Sequence, residues 1–293
     1  MPVGRMMTAM ATPFGSSLEL DLAKAGSLAQ QLVDDGSDGI VVAGTTGESP
    51  TLSEEEKVQL FETVVDAVGD RAGVWANTGN YDTAASVKLT QAAERTGVHG
   101  VMLVVPYYNR PSQEGLYRHF RTIADATPLP VMLYNVPSRT SQNMTAETVL
   151  RLARDCPNIA AVKEASGSLE QVAEIIRGRE RELTVLSGDD KMTLPLLAIG
   201  ADGVVSVASH LVGQEIRRMI EAFLTGQVRL AQELHLRLLP MFTGLFFMSN
   251  PVPLKRAMQL CGQDIGGVRL PLALPSAEEE KFLLTLLRTQ GLL

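Results

Sequence analysis

Ile159-Ala160-Ala161-Val162-Lys163-Glu164-Ala165 is a short run, mostly apolar and β-branched at its centre, and it reads as a buried strand. It also carries a lysine. An ammonium inside such a strand must be paired or must shed its proton, because desolvation disfavours the charged form and lowers the pKa. A neutral buried amine is a nucleophile suited to forming a Schiff base with a ketone. Alone, the run also allows a lysine at the strand end whose head reaches water while its stem stays dry.

Seven further runs have the same character: Met6–Thr12, Gly39–Gly44, Gly73–Thr78, Gly100–Pro106, Pro130–Val136, Thr184–Gly188 and Gly203–Ala208. Runs that are apolar throughout, rather than alternating, suit a parallel sheet covered on both faces. Amphipathic stretches separate them, including Leu22–Asp35, Ser53–Val68, Thr83–Arg95, Gln113–Ala126 and Leu169–Arg177. Ser53 and Glu56 make a capping-box start, and Gly36, Gly97 and Gly178 are placed as helix stops. Eight such units point to a closed (β/α)8 TIM barrel, with an open doubly wound sheet as the alternative. After about residue 226 the alternation ends. Gln227–Leu239, Val252–Cys261 and Ala277–Leu287 read as helices, so a catalytic barrel over 1–226 and a small helical domain over 227–293 are expected.

The chain has 293 residues, 45% of them hydrophobic and 20% charged, enough for a large core and too apolar for disorder. Its net charge of −7 makes nucleic acid and anionic membranes poor partners. Cys156 and Cys261 lie far apart and form no metal-type pair, which fits a reduced, cytoplasmic setting. No export signal is visible. The apolar stretch Leu238–Met248 is too short to span a bilayer and is interrupted by Pro240 and Gly244.

Barrels of this type carry their reactive groups at the C-terminal ends of the strands. That rule gathers Gly44-Thr45-Thr46-Gly47, Pro106-Tyr107-Tyr108-Asn109, Tyr134 leading into Arg139, Lys163, and Ser187-Gly188-Asp189-Asp190. The set suits Schiff-base chemistry on a keto acid. Lys163 attacks the ketone, a tyrosine hydroxyl relays protons, and Arg139 grips a carboxylate by a bidentate contact. Each piece also has a plainer reading. The glycine–threonine segment makes an ordinary turn, paired tyrosines pack, Arg139 is a solvated charge, and the aspartates begin a loop or cap a helix. His99, His119, His210 and His235 lack zinc-ligand spacing, and no phosphate-binding or dinucleotide glycine loop is present, so neither metal nor cofactor is expected.

Ala11-Thr12-Pro13-Phe14, Gly44 through Ser49 (GTTGES), Pro106 through Tyr117 (PYYNRPSQEGLY), Tyr134 through Thr140 (YNVPSRT), Val162 through Ala165 (VKEA) and Ser187 through Asp190 (SGDD) occur in one order. Together they resemble the dihydrodipicolinate synthase family, within the pyruvate-dependent N-acetylneuraminate lyase superfamily, from about Met6 to the C-terminus. The resemblance implies a lyase that condenses pyruvate with L-aspartate 4-semialdehyde in lysine and diaminopimelate biosynthesis. It makes Lys163 the Schiff-base lysine and Tyr134 the general acid–base. Thr45 and Tyr108 complete the proton relay, Tyr108 in the partner's site, within a homotetramer built from two tight dimers. Thr46 matches the holder of the pyruvate carboxylate, Gly188 and Val205 line the pocket, and Arg139 matches the grip on the aldehyde's carboxylate. Arg139 argues against a sister aldolase or dehydratase acting on a keto-deoxy sugar acid. The full relay argues against a catalytically silent, metabolite-binding barrel. Lys57 and Ala85 stand where lysine-inhibited relatives typically carry histidine and glutamate, which implies weak feedback by L-lysine.

Overall fold

The computed structural model describes residues 3–179 and 182–293. Its strands are β1 (Met6–Ala9), β2 (Gly39–Val42), β3 (Gly73–Asn77), β4 (Gly100–Val104), β5 (Val131–Asn135), β6 (Ile159–Glu164), β7 (Thr184–Ser187) and β8 (Gly203–Ser206). They run parallel and close in sequence order, β8 pairing with β1. The closed barrel is therefore correct and the open sheet is not. Each apolar run outlasts its strand, because its last residues leave the ladder and turn into the loops above the barrel.

Around the sheet lie α1 (Leu22–Asp34), α2 (Glu54–Val68), α3 (Thr83–Glu94) and α4 (Gln113–Ala124). The single turn α5 (Pro137–Thr140) follows β5, and α6 (Ala146–Asp155), α7 (Leu169–Gly178), α8 (Thr193–Ala198) and α9 (Ser209–Leu224) complete the ring. The chain ends in α10 (Val228–Gly244), α11 (Val252–Leu260) and α12 (Ala277–Thr289). Ser53 and Glu56 form the expected reciprocal cap on α2. Gly36 and Gly97 take positive φ past their helices, at 98° and 81°.

Two local expectations fail. Gly178 is the last residue of α7, not the turn beyond it. A Cβ there would stand 2.4 Å from Leu150 Cδ1, so packing on α6 explains the glycine. Pro240 lies inside α10, which continues to Gly244 instead of stopping near Leu239. Ala231, Leu234, Leu238, Met241 and Phe242 make a continuous buried face on both sides of the proline, and that packing carries the helix past the missing N–H. Among the described residues no helix is long and apolar enough to cross a membrane.

Side chains alternate across each strand, so one set fills the lumen and the other meets the helices. The lumen set is Met7, Ala9, Val41, Trp75, Met102, Met132, Tyr134, Ala161, Leu186 and Val205, with Val136 just beyond β5. Trp75 is fully buried and needs a hollow, which Gly100 at the start of β4 and Gly73 at the start of its own strand provide. A Cβ on Gly100 would lie 2.6 Å from the indole ring. Gly100→Ala is expected to lower stability by ~1–3 kcal/mol through overpacking, read as a lower urea midpoint at unchanged slope. Gly26→Ala in α1, whose added Cβ meets Ala67 at an ordinary 3.5 Å, should leave the midpoint unchanged or raise it.

Candidate active site

The direction in which Lys163 points depends on an irregularity in β6. Val131 pairs with Ile159, but the next residue, Met132, pairs with Ala161. Ala160 is the extra residue, and the inside–outside alternation changes across it. Ile159 packs in the helix-facing core while Ala161 packs in the lumen. Lys163, two residues on, therefore enters the lumen and is only 5% exposed. Its outward neighbour Glu164 is buried and accepts from Asn135 Nδ2, Gln171 Nε2 and the Ser166 amide, which fixes the end of the strand.

Tyr134 pairs in register with Lys163, and the lysine Nζ sits 4.3 Å from its ring centroid. Burial lowers the amine to about 8, with the Arg139 charge acting in the same direction and Asp190 opposing both. Burial also pushes the Tyr134 phenol above its usual range, against hydrogen bonding with Thr45 and the Arg139 charge. Burial thus drives the two groups apart in proton affinity: the amine releases its proton more readily while the phenol keeps its own, which places a nucleophile beside a proton donor.

Asp190 was expected in a loop or cap. Asp189 does cap, accepting from the Lys191 amide at the start of a short 3-10 turn. Asp190 opens that turn, and its side chain is almost fully buried, accepting from the Ser206 hydroxyl and from the amides of Val207 and Ala208, both at 3.0 Å. Burial raises its carboxyl, and those three donors restrain the rise.

Above the strands a cavity of about 210 Å³ is walled by Thr45, Asn77, Tyr107, Tyr134, Val136 and Arg139, among others. Ser49 and Pro50 also reach this wall, whereas Lys57 and Ala85 do not. Thr45 and Arg139 thus meet Tyr134 as expected, and Arg139 is presented on the exposed turn α5. Lys163 lies behind Tyr134, not on the wall itself. Thr46 is 2% exposed, and its Oγ1 accepts from Asn250 Nδ2 at 2.9 Å. Gly188 commits its N–H to the Glu164 carbonyl at 2.8 Å. A Cβ on Gly188 would stand 2.6 Å from that of Ala165, so close approach requires the glycine. Val205 is buried in the lumen cluster.

Tyr108 is not brought to this site. It is 94% exposed, with φ at 72°, on a loop anchored by Asn109 Nδ2 donating to the Tyr81 carbonyl and by Tyr107 stacked edge-on against Tyr81. Among the described residues no group of three or more His, Cys, Asp or Glu is placed to hold a metal. His210 is fully used, its Nδ1–H facing the Val207 carbonyl and its Nε2 accepting from the Ala11 amide.

Two contributors escaped the sequence reading, Asn250 on Thr46 and the buried pair formed by Lys255 and Glu48 at 2.7 Å, while Asp190 was gathered there without a role. Asp190 had a signal, since it lies at a strand end. Asn250 and Lys255 lie in the helical tail, where no strand-end rule applies.

The Dihydrodipicolinate synthetase family model matches residues 2–290. A 4-hydroxy-tetrahydrodipicolinate synthase of Moorella thermoacetica is 56% identical over 290 residues, 99% of each chain. That of Desulforudis audaxviator is also 56% identical, over 99% of this chain and 98% of its own. Among solved structures, the synthase of Cyanidioschyzon merolae with lysine bound superposes with a TM-score of 0.97 at 48% identity, covering 99% of both chains. The Bacillus anthracis enzyme gives 0.96 at 48% identity, over 98% of this chain and 99% of its own. With the barrel, the buried lysine and the facing phenol all in place, the chain belongs to the dihydrodipicolinate synthetase family.

Proposed function

We propose that this chain acts as a 4-hydroxy-tetrahydrodipicolinate synthase, a class I aldolase-type lyase that joins pyruvate to L-aspartate 4-semialdehyde. The observation that carries the reading is a lysine 5% exposed, lowered to about 8, against the ring of Tyr134 at the foot of a cleft bearing Arg139. The family's full-length relatives carry the name of this activity.

Neutral Lys163 attacks the pyruvate ketone, and the carbinolamine loses water to give an imine whose nitrogen is that of the lysine. Tyr134, hydrogen-bonded with Thr45, supplies and recovers the protons of these steps. Thr46 holds the pyruvate carboxylate, with Gly188 and Val205 shaping the pocket around the methyl group. Loss of a methyl proton gives the enamine, whose carbon attacks the aldehyde. Arg139, exposed at the rim, takes the second substrate's carboxylate by a charge-assisted contact. The substrate amine then displaces Lys163 from the imine carbon and closes the ring. The covalent imine with substrate pyruvate replaces any external cofactor.

Tyr108, held out from its own barrel, belongs in this reading to the site of the partner in a tight dimer. The assembly is a cytoplasmic homotetramer of two such dimers.

Borohydride added with pyruvate should attach one pyruvate-derived mass per chain, on Lys163, located by peptide mass spectrometry. The companion rate, exchange of pyruvate methyl protons into deuterated buffer, should climb about tenfold per unit below the lysine pKa of about 8 and level above it. Only the neutral amine attacks, so the rate must rise with pH. An adduct on another lysine, or a rate that falls with pH, would sink the assignment.

Arg139→Ala should raise the aldehyde KM by roughly 10- to 150-fold, the worth of a charge-assisted hydrogen bond at about 1.5–3 kcal/mol, while methyl-proton exchange persists. Equal loss of both reactions would place Arg139 in the pyruvate step.

Tyr108→Phe and Lys163→Ala chains, each inactive alone, should regain activity when mixed, because one hybrid site then holds both native groups. Native mass spectrometry would verify subunit exchange, and no recovery after it would count against a shared site.

A further inference from the structure

We propose that Asn250 is a positioning residue for Thr46, holding the threonine so that its hydroxyl proton is left to the pyruvate carboxylate. The inference rests on the reading of Thr46 given above and adds to it a residue from outside the barrel.

A hydroxyl has one proton to give and two lone pairs to receive with. Asn250 Nδ2 donates to Thr46 Oγ1 at 2.9 Å, so the oxygen is engaged as an acceptor and its proton remains unspent. Among the described residues that hydroxyl has no other partner, although Thr46 is only 2% exposed. The carboxamide orientation matters. Turned around, its oxygen would take the threonine proton and leave both amide N–H groups buried without partners. A buried carbonyl oxygen without a partner is the less costly choice, and Asn250 Oδ1 is such an atom. The observed orientation is therefore the one that frees the donor.

The spacing between the two residues is locked from both sides. Asn250 precedes α11, whose Lys255 meets Glu48, two residues beyond Thr46, in a dry ion pair at 2.7 Å. Lys255 also donates to the Gly267 carbonyl at 2.7 Å, and the Arg269 amide donates to the other Glu48 oxygen at 2.9 Å. The Arg269 guanidinium adds bonds to the Thr51 carbonyl and the Glu56 carboxylate. The segment Thr46–Thr51 and the segment Asn250–Arg269 thus form one clamped unit, with the Asn250–Thr46 bond at its inner edge.

The test compares Asn250→Ala, Asn250→Asp, Thr46→Val and the Thr46→Val/Asn250→Ala double variant by methyl-proton exchange at varied pyruvate, and by full turnover. Asn250→Ala should raise half-saturating pyruvate by roughly 3- to 10-fold, the scale of one neutral hydrogen bond, with KM affected more than kcat. Asn250→Asp, nearly isosteric, presents an acceptor that captures the threonine proton and should raise it further. In the Thr46→Val background Asn250→Ala should add nothing, because the bond is already gone. Unchanged half-saturation, an aspartate variant no worse than alanine, or additive effects in the double variant would each overturn the proposal. Should alanine at 250 fail to fold, the aspartate variant decides alone. A native chain that gives no adduct and no exchange defeats the underlying reading of the site. A native chain that gives both, with the variants indifferent, defeats only the role of Asn250.

Discussion

Keeping Lys163 dry is the constraint on which the rest of the site depends. An amine brought from the usual 10.5 to about 8 corresponds to about 3 kcal/mol of preference for the neutral form inside the protein. For a base whose pKa is depressed on folding, that quantity is a penalty on stability. It is complete below pH 8 and fades as pH climbs toward 10.5, where the folded and unfolded chains both lose the proton. At neutral pH the fold therefore carries a standing cost at this lysine, the usual direction of a trade between stability and activity if the residue has the role proposed for it. Asp190 limits the cost. It opposes the desolvation of the lysine, and its own buried carboxylate is sustained by Ser206, Val207 and Ala208.

A second buried charge pair serves a different end. Lys255 and Glu48 are both desolvated, Lys255 lying over the Phe14 ring at 4.2 Å, and burial lowers the lysine despite Glu48. Lys255 Nζ approaches Glu48 Oε1 at 2.7 Å and the Arg269 amide donates to Oε2, so both carboxylate oxygens are engaged. Such a pair contributes little net stability against a well-packed apolar alternative, but removing one partner strands the other. Its value is geometric. Glu48 stands at φ 56°, a conformation costly for a residue with a side chain, in the loop that carries Thr45 and Thr46. The pair and Arg269 hold that loop in place from outside the barrel, where a more pliant contact would let the hydroxyls drift.

The strands were readable because a parallel sheet buried on both faces leaves unbroken apolar runs, and a lysine in one of them stands out. Tyr134, Thr45 and Arg139 followed from the strand-end rule, and the cavity wall gathers all three. What stayed hidden depends on partners distant in the chain. Nothing in Ile-Ala-Ala-Val announces that Ala160 is supernumerary, since the shift belongs to the pairing of β6 with β5. Simple alternation from Ile159 would have sent Lys163 out among the helices. Asn250 stands in the proline-rich connection Asn250-Pro251-Val252-Pro253, and its contact with Thr46 exists only once α11 is docked on the loop after β2. Gly178 and Pro240 misled for the same reason: Leu150 and the buried face of α10 decide what those residues do, and neither is local.

Tyr108 makes the single chain look unfinished. A tyrosine at φ 72° bears conformational strain, and a ring 94% exposed returns nothing to the fold that bears it. Its neighbours are not loose. Tyr107 is half-buried against Tyr81, and Asn109 is tied to the Tyr81 carbonyl, so the strained residue is held out by a braced loop. A braced loop that presents a large amphipathic ring to solvent has the form of one half of a contact. The barrel's own mouth holds a phenol and a threonine that already interact, and the relay proposed above extends past them to a hydroxyl from outside the chain. Strain without local return is what the proposed dimer would answer, with each chain lending its Tyr108 to the other.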